Sequence, residues 1–528
     1  MTSTEVAGEA VKQRKSILQS LLIVVAAGLF AGVLYVGDTT MKDVSSALPD
    51  LSLALPILVI VAILTAVGTP EEQRQSLLNA MKGAGDIKQW PMAVWALVAF
   101  YAWLFWMMLS GLWAPEAAEV APVVIALITL GLIATMSALL FYLHPQALVW
   151  LWLAVAICSL IFLYGGITGP KYVGRMTAFG GGPNVFARFM LYGIAAAVFF
   201  MLWRKFMWAA LLFAAPFAYG LVASGSRGVL VATTVVVLFT AIAVFFHWGW
   251  KWATVFYLAV VAAVAYGYSR FIAGTKIEEY FKTRFIQLTF EKEHDSGRGY
   301  LHDEAFRIMG EHRIFGGGLH SFVVLSTPRS SRPLEHPHNI FYTVGSEAGV
   351  IGIGLFVIVL VVLAIACRHL FKFLQAGLTA AVAFAVLVAQ VFSGYYYDSR
   401  SLWLFGFAAA FAMLSLRRRV QDTALEEPEL EPQPEPELAL QPEAKPEPEP
   451  AIATDTAEPV VQESRPAVAV VKQSAPDNKD DTKKLRVAAA SFAAAGAAGA
   501  IGWLVRNRSN AEVDARAEEL LREMFNEK

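Results

Sequence analysis

The sequence predicts an all-α integral membrane protein of about twelve transmembrane helices with one large loop on its outer face. Composition supplies the first reason. The chain is 57% hydrophobic and only 16% charged, with a mean hydropathy of +0.53, which is more apolar surface than a soluble core of this length could hide. Apolar runs of about 20 residues, the length a helix needs to cross the hydrocarbon, recur along the chain up to Leu416. Finally, six of the nine histidines fall in a single polar stretch, residues 271 to 342, which separates two of those runs.

The apolar runs begin near Ile17, Leu51, Pro91, Val120, Ala147, Val185, Phe206, Gly228, Lys251, Thr343, Gln375 and Ser401. The first lacks a small-residue cleavage site and is followed by further runs, so it reads as a retained helix and not as a removed leader. Residues 1–16 form a short cytoplasmic segment ahead of a polytopic core, 17–419. Lysine and arginine set the orientation. Lys12, Arg14 and Lys15 precede the first run, Arg74, Lys82 and Lys88 follow the second, and Arg204 and Lys205 follow the sixth. Lys251, then Arg368 and Lys372, then Arg417, Arg418 and Arg419 continue the series at every second connection. Those connections are cytoplasmic on this pattern. The loop at about 271–342 then faces the periplasm or its equivalent, together with Ser224-Gly225-Ser226-Arg227-Gly228 and Tyr395-Tyr396-Tyr397-Asp398-Ser399-Arg400.

After Arg419 the character changes. Residues 420–486 include a Glu-Pro alternation from Glu426 to Pro450 that offers too little apolar surface to fold and reads as an extended linker. Residues 487–505 are an Ala/Gly-rich run just long enough to cross a bilayer. Basic residues flank both of its ends and alanine drives insertion weakly, so a further crossing and none fit equally well. Residues 506–528 place Val513, Ala517, Leu520, Leu521 and Met524 at helical spacing among charges, an amphipathic helix suited to docking on a protein partner. Cys158 and Cys367 both fall in apolar runs, so no disulfide framework is implied, and nothing in the chain points to nucleic acid.

The chemistry concentrates outside the bilayer. Arg227 sits in a Gly/Ser-rich break between two runs and Arg298 follows a glycine in the long loop. A guanidinium is a permanent planar fork that fits phosphate oxygens bidentately. Taken singly, such arginines commonly snorkel or cap a loop. Two on one face suit a pyrophosphate. His336-Pro337-His338-Asn339 stands where the chain re-enters the membrane, and a neutral imidazole can take a proton from an attacking hydroxyl. A zinc site is the weaker reading of the His-x-His pair, because no further ligand stands at a standard spacing. Capping of the next helix is the competing role for His336. Asp38, Asp43 and Asp50 are the nearest approach to a metal-binding set and read as a solvated loop.

His338-Asn339, nine residues and Gly349-Val350-Ile351-Gly352 together resemble the His-Asn-x9-Gly-x-x-Gly signature of the O-antigen ligase and polymerase superfamily. Ser296-Gly297-Arg298 followed by Phe315-Gly316-Gly317-Gly318 is similar to that family's loop pattern, and Ser224 to Gly228 resembles its arginine-bearing helix start. Arg175 with Pro183-Asn184 resembles an Arg...Pro-Asn element of an earlier outer loop. Ile353-Gly354 and Tyr300 depart from the pattern, the first where some ligases carry Thr-Asn and the second where a tryptophan is common.

The resemblance implies a GT-C-like architecture and a metal-independent membrane glycosyltransferase of the bacterial inner membrane, with no cofactor. The donor would be a glycan on undecaprenyl pyrophosphate, the acceptor a lipid A-core or other glycan. Arg227 and Arg298 would hold the pyrophosphate and His338 would deprotonate the acceptor hydroxyl, with Arg175, Asn184, His336 and Asn339 lining the substrate site. A ligase and a polymerase that extends one lipid-linked glycan with another both fit. A multi-spanning transporter fits less well, because the apolar runs carry few acids or bases.

Overall fold

The computed structural model describes residues 3–38, 50–71, 73–75, 90–172, 174–179, 181–204, 207–267, 269–270, 273–274, 278, 298–327 and 336–426. The expectations for the Glu-Pro linker, the Ala/Gly-rich run, the terminal amphipathic helix, His294, Ser296 and Gly297 lie outside these residues.

The described chain is helical, with two isolated bridges, Tyr172 to Arg175 and Ala178 to Gly181, in one connection. In order, the helices are α1 (Ser3–Asp38), α2 (Asp50–Gly68), α3 (Met92–Leu109), α4 (Val120–Leu143), α5 (Ala147–Thr168) and α6 (Pro183–Arg204). They continue as α7 (Met207–Ser224), α8 (Arg227–Gly267), α9 (Arg298–Glu311), α10 (Phe322–Leu325), α11 (Ile340–Ala366), α12 (Leu374–Ser393) and α13 (Arg400–Glu426). Among the described residues eight of these are long and apolar enough to cross a membrane, and Ala54–Gly68 and Leu212–Ser224 are shorter apolar helices. The chain is a polytopic membrane protein. Each apolar run read from the sequence is helical; α1 begins at Ser3 and its membrane-length apolar part is Ile17–Tyr35. The two runs expected at Gly228 and Lys251 form one element, α8, broken at Gly249 (φ 80°, ψ 168°).

In lipid every backbone polar group needs an internal partner, and several hydroxyl side chains inside these helices bond back onto their own backbone. Thr65, Thr129, Ser137, Thr233, Thr240 and Thr379 each donate to the carbonyl four residues earlier. Pro56 in α2 and Pro216 in α7 are tolerated in the same setting. Aromatic rings fill the centre: Trp103, Phe100 and Phe356 surround Trp403, and Trp152 stacks on Phe405 at 5.2 Å while its indole N–H donates to Thr379 Oγ1 at 3.0 Å. Large apolar side chains such as Phe105, Leu212, Leu238 and Val261 stay exposed, as a lipid-facing surface requires.

The helices sort their connections into two groups. At one end, Arg418 bonds the Tyr142 hydroxyl, Arg419 bonds the Leu143 carbonyl at 3.2 Å and His247 meets the Phe371 carbonyl at 2.6 Å. At the other end of the same helices lie Pro183, Ser224, Arg227, Ser393 and Arg400. Basic connections and candidate site residues therefore occupy opposite ends of the bundle.

Candidate active site

The site grows from the ends of α6, α7, α8 and α12. The connection ahead of α6 turns through Gly174 (φ 74°), which brings Arg175 back onto the end of α7. Its Nε donates to the Ser224 carbonyl at 2.7 Å and its Nη2 to Asn184 Oδ1 at 3.4 Å. Asn184 in turn donates to Ser393 Oγ at 2.7 Å, tying α6 to the end of α12. Gly225, at φ 64°, closes α7 in the left-handed conformation that glycine adopts without strain. The next helix follows at once, so Arg227 opens α8. A Cβ on Gly228 would meet Phe392 Cβ at 2.5 Å, so only glycine lets α8 start this close to α12.

Arg298 opens α9 and donates to the Phe392 carbonyl. Arg188, one turn into α6 and 5% exposed, pairs with Asp398 at 3.4 Å. The result is an open cleft in which Arg175, Arg188, Arg227 and Arg298 converge, with Asn184 and Ser393 between them. The first turn of α8 also lines it. Four guanidiniums and a helix N-terminus around one space make a strongly anion-attracting cleft.

The long loop is a folded element. Ala305, Ile308 and Phe322 bury one face of α9 against α10, with Leu301, Leu325 and Tyr342 packed around them. Glu304 accepts from Arg307 Nη2 and from the Thr327 N–H, both at 2.9 Å, and Arg307 reaches the Leu325 carbonyl at 2.7 Å. The Arg307 hydrogen bonds hold the Glu304 carboxyl below its ordinary pKa. Tyr300 donates to the Thr327 carbonyl.

The glycines of the signature dock this loop onto the membrane helix. α11 breaks at Gly349 (φ 67°, ψ −165°), which frees carbonyls from the helical ladder. Gly317 N–H donates to the Ser346 carbonyl at 2.8 Å, Gly318 N–H to Glu347 at 2.9 Å and Trp106 Nε1 to Ala348 at 3.1 Å. Val350 N–H returns a bond to the Arg313 carbonyl at 2.9 Å. Gly316 and Gly318 also hold positive φ. A Cβ on Gly316 would run into Glu347, and one on Gly349 into Ile314. The turn and the break are two halves of one main-chain joint.

His338 lies one residue before the cap of α11. Asn339 is that cap: its Oδ1 accepts from the Phe341 N–H at 2.9 Å and the Tyr342 N–H at 3.3 Å. The capping role weighed for His336 therefore belongs to Asn339, and His336 instead packs its ring on His338 at 4.2 Å and on Tyr395 at 4.3 Å. His338 holds φ 56°, a conformation few non-glycine residues adopt. Burial, then the charges of Arg298 and His302, push its imidazole down to about 4. It is a neutral base beside a cationic pocket. Arg298 belongs to both.

Arg175, Asn184, Arg227 and Arg298 thus share one pocket, His338 and His336 adjoin it through Arg298, and Asn339 supports the helix that carries them. Sequence reasoning missed Arg188, Asp398 and Glu347. Arg188 is the one charge in the apolar span Pro183–Trp203, and Glu347 the one acid in α11. A lone ionisable residue in a membrane span is by itself a signal. Glu347 is 1% exposed, and its Oε2 accepts from the Tyr396 hydroxyl at 2.5 Å and the His320 N–H at 2.9 Å. Among the described residues no group of three or more His, Cys, Asp or Glu is placed to hold a metal ion.

Fold and site together define a multi-pass helical membrane protein with an arginine-lined pocket and a neutral histidine at one end of its helices. Residues 209–357 match the family model described as O-antigen ligase, so this stretch is similar to the O-antigen ligase and polymerase superfamily. The stretch contains Arg227, Arg298 and His338. No curated protein matches the chain.

Proposed function

We propose that the protein is an inverting glycosyltransferase of the bacterial inner membrane that moves a glycan from undecaprenyl pyrophosphate to an acceptor sugar hydroxyl at the periplasmic face. The observation that carries this reading is the convergence of four arginines beside a histidine kept neutral. The arginines hold the pyrophosphate at the level where the lipid-linked donor lies in its leaflet. The acceptor oxygen attacks the anomeric carbon from the side opposite the pyrophosphate, its proton passes to His338, and the C1–O bond breaks with its electron pair leaving on the pyrophosphate. One C–O bond forms as one breaks, and the configuration inverts.

Charge accumulates on the leaving group, so preformed cations aimed at it lower the barrier most. Burial, and then the Arg298 charge, hold the His338 imidazole down to about 4. A bound pyrophosphate offsets that charge, so donor binding raises the basicity of His338 when a base is needed. Four guanidiniums supply the neutralisation without a divalent cation.

The test is a reconstituted reaction of purified full-length protein, lipid-linked glycan and candidate acceptors in excess chelator. Transfer in chelator supports the reading. Activity that vanishes with chelator and returns with magnesium or manganese overturns the arginine mechanism. Transfer to a lipid A-core acceptor marks a ligase, and extension of one lipid-linked glycan by another marks a polymerase.

A further inference from the structure

The pocket accounts for the phosphate end of the donor and leaves unassigned a second set of side chains at the same end of the bundle. From His338 a file of rings leads through His336 at 4.2 Å and Tyr395 at 4.3 Å to Tyr397 at a further 4.3 Å, and ends on His320 at 6.0 Å. None of these five rings lines the arginine pocket. All five are partly exposed, whereas their neighbour Tyr396 is fully buried.

The file is held from beneath. Tyr396 points inward, ring against Trp103 at 6.1 Å and hydroxyl on Glu347. The same carboxylate oxygen takes the His320 N–H, so one buried acid fixes both the tyrosine turn and the far end of the file. His320, like His338, keeps a positive φ (59°). The side chains that could have packed away are thus kept at the surface by a rigid support.

Such a surface suits one ligand chemistry. A pyranose ring presents C–H groups on its faces and hydroxyls around its edge. Aromatic faces take the former, while phenol hydroxyls and imidazole nitrogens take the latter. The file carries no permanent cation, so it does not compete for the pyrophosphate. Its direction assigns the sugar. An in-line reaction puts the acceptor opposite the leaving group, with its hydroxyl at the base, and the file starts at His338 and contains none of the pocket lining.

We infer that His336, Tyr395, Tyr397 and His320 form the acceptor subsite and bind the sugar rings of the acceptor glycan, more than one ring at a time given the length of the file. This rests on the transferase reading above for its direction, with the acceptor on the His338 side.

The experiment measures binding without turnover. Full-length protein in detergent is titrated with two soluble probes, a core oligosaccharide freed of lipid A and the free repeat-unit glycan, and contact is read by saturation-transfer NMR. Tyr395→Ala and Tyr397→Ala should each weaken the binding of one probe about threefold to tenfold, the scale of an aromatic contact. Tyr395→Phe and Tyr397→Phe should restore most of it, and thermal unfolding controls for folding. Arg227→Ala should leave glycan binding intact. Binding of neither probe, binding indifferent to the tyrosines, or binding lost with Arg227→Ala alone would each overturn the subsite. Failure of the transferase reading looks different: no glycan transfer by the wild type, with tyrosine-dependent glycan binding still present.

Discussion

Replacing Gly349 with alanine should undock the long loop from its membrane helix. Two costs combine. Gly349 sits at φ 67°, ψ −165°, a region nearly closed to residues with a Cβ, and forcing alanine there costs about 1–3 kcal/mol. The new Cβ would also collide with Ile314 backbone atoms, so the turn must move and strain the three main-chain bonds Gly317 to Ser346, Gly318 to Glu347 and Val350 to Arg313. At about 0.5–1.5 kcal/mol each, their loss with the strain amounts to about 2.5 kcal/mol at least. That shifts the docked–undocked balance by about a hundredfold. Arg298 rides on the loop and His338 adjoins the cap of the helix, so transfer should fall by a similar factor while the protein still inserts. Limited proteolysis should detect the same event as faster cleavage between Arg298 and Leu325. A variant with wild-type protease resistance and wild-type transfer would refute the docking argument.

Arg227→Ala and Arg298→Ala should each abolish glycan transfer without preventing insertion, and the lysine variants should recover little, because a point charge does not replace the fork; surface glycan in cells carrying each variant is the readout. His338→Ala should lower turnover about a hundredfold, the scale of losing a general base. Because the folded enzyme holds the free His338 imidazole near 4, the active neutral form persists as pH drops below the ordinary histidine range, and the acid limb of kcat/KM should fall near pH 4. His302→Gln, by removing one of the charges that depress it, should move that limb to higher pH, and an unmoved limb would assign the titration to another group. Cysteine at the exposed His312, in a background lacking Cys158 and Cys367, should react with an impermeant thiol reagent in intact cells, while cysteine at Gln433 should not; the reverse labelling inverts the topology.

Membrane helices are the most legible part of this chain, because crossing the hydrocarbon demands an apolar run that hydropathy reads directly. The sorting of Arg175, Arg227 and Arg298 away from Arg368 and Arg418 was legible for a related reason, since basic residues mark alternate connections. What hydropathy averages away was not legible. Arg188 and Glu347 each disappear into a strongly apolar stretch, and only the fold shows that Asp398 and Tyr396 approach them. Gly349 was legible as a signature glycine, but only its φ reveals a broken helix with Gly317 and Gly318 bonded across it. The local spacing also left open which residue caps α11, because a cap is decided by backbone conformation one position at a time: Asn339 took the role and released His336 to the ring file.

The arginine pocket is larger than the part of the chain that a family signature recognises. Arg227 and Arg298 fall within residues 209–357, but Arg175, Asn184 and Arg188 come before that stretch, and Phe392, Ser393 and Asp398 after it. Half of the guanidiniums, and the carboxylate that steadies one of them, are contributed by flanking helices. An excised 209–357 fragment would carry the recognisable motif and only part of the anion pocket. Substitutions in α6 or the tyrosine turn can consequently reshape the arginine pocket while leaving every signature residue in place.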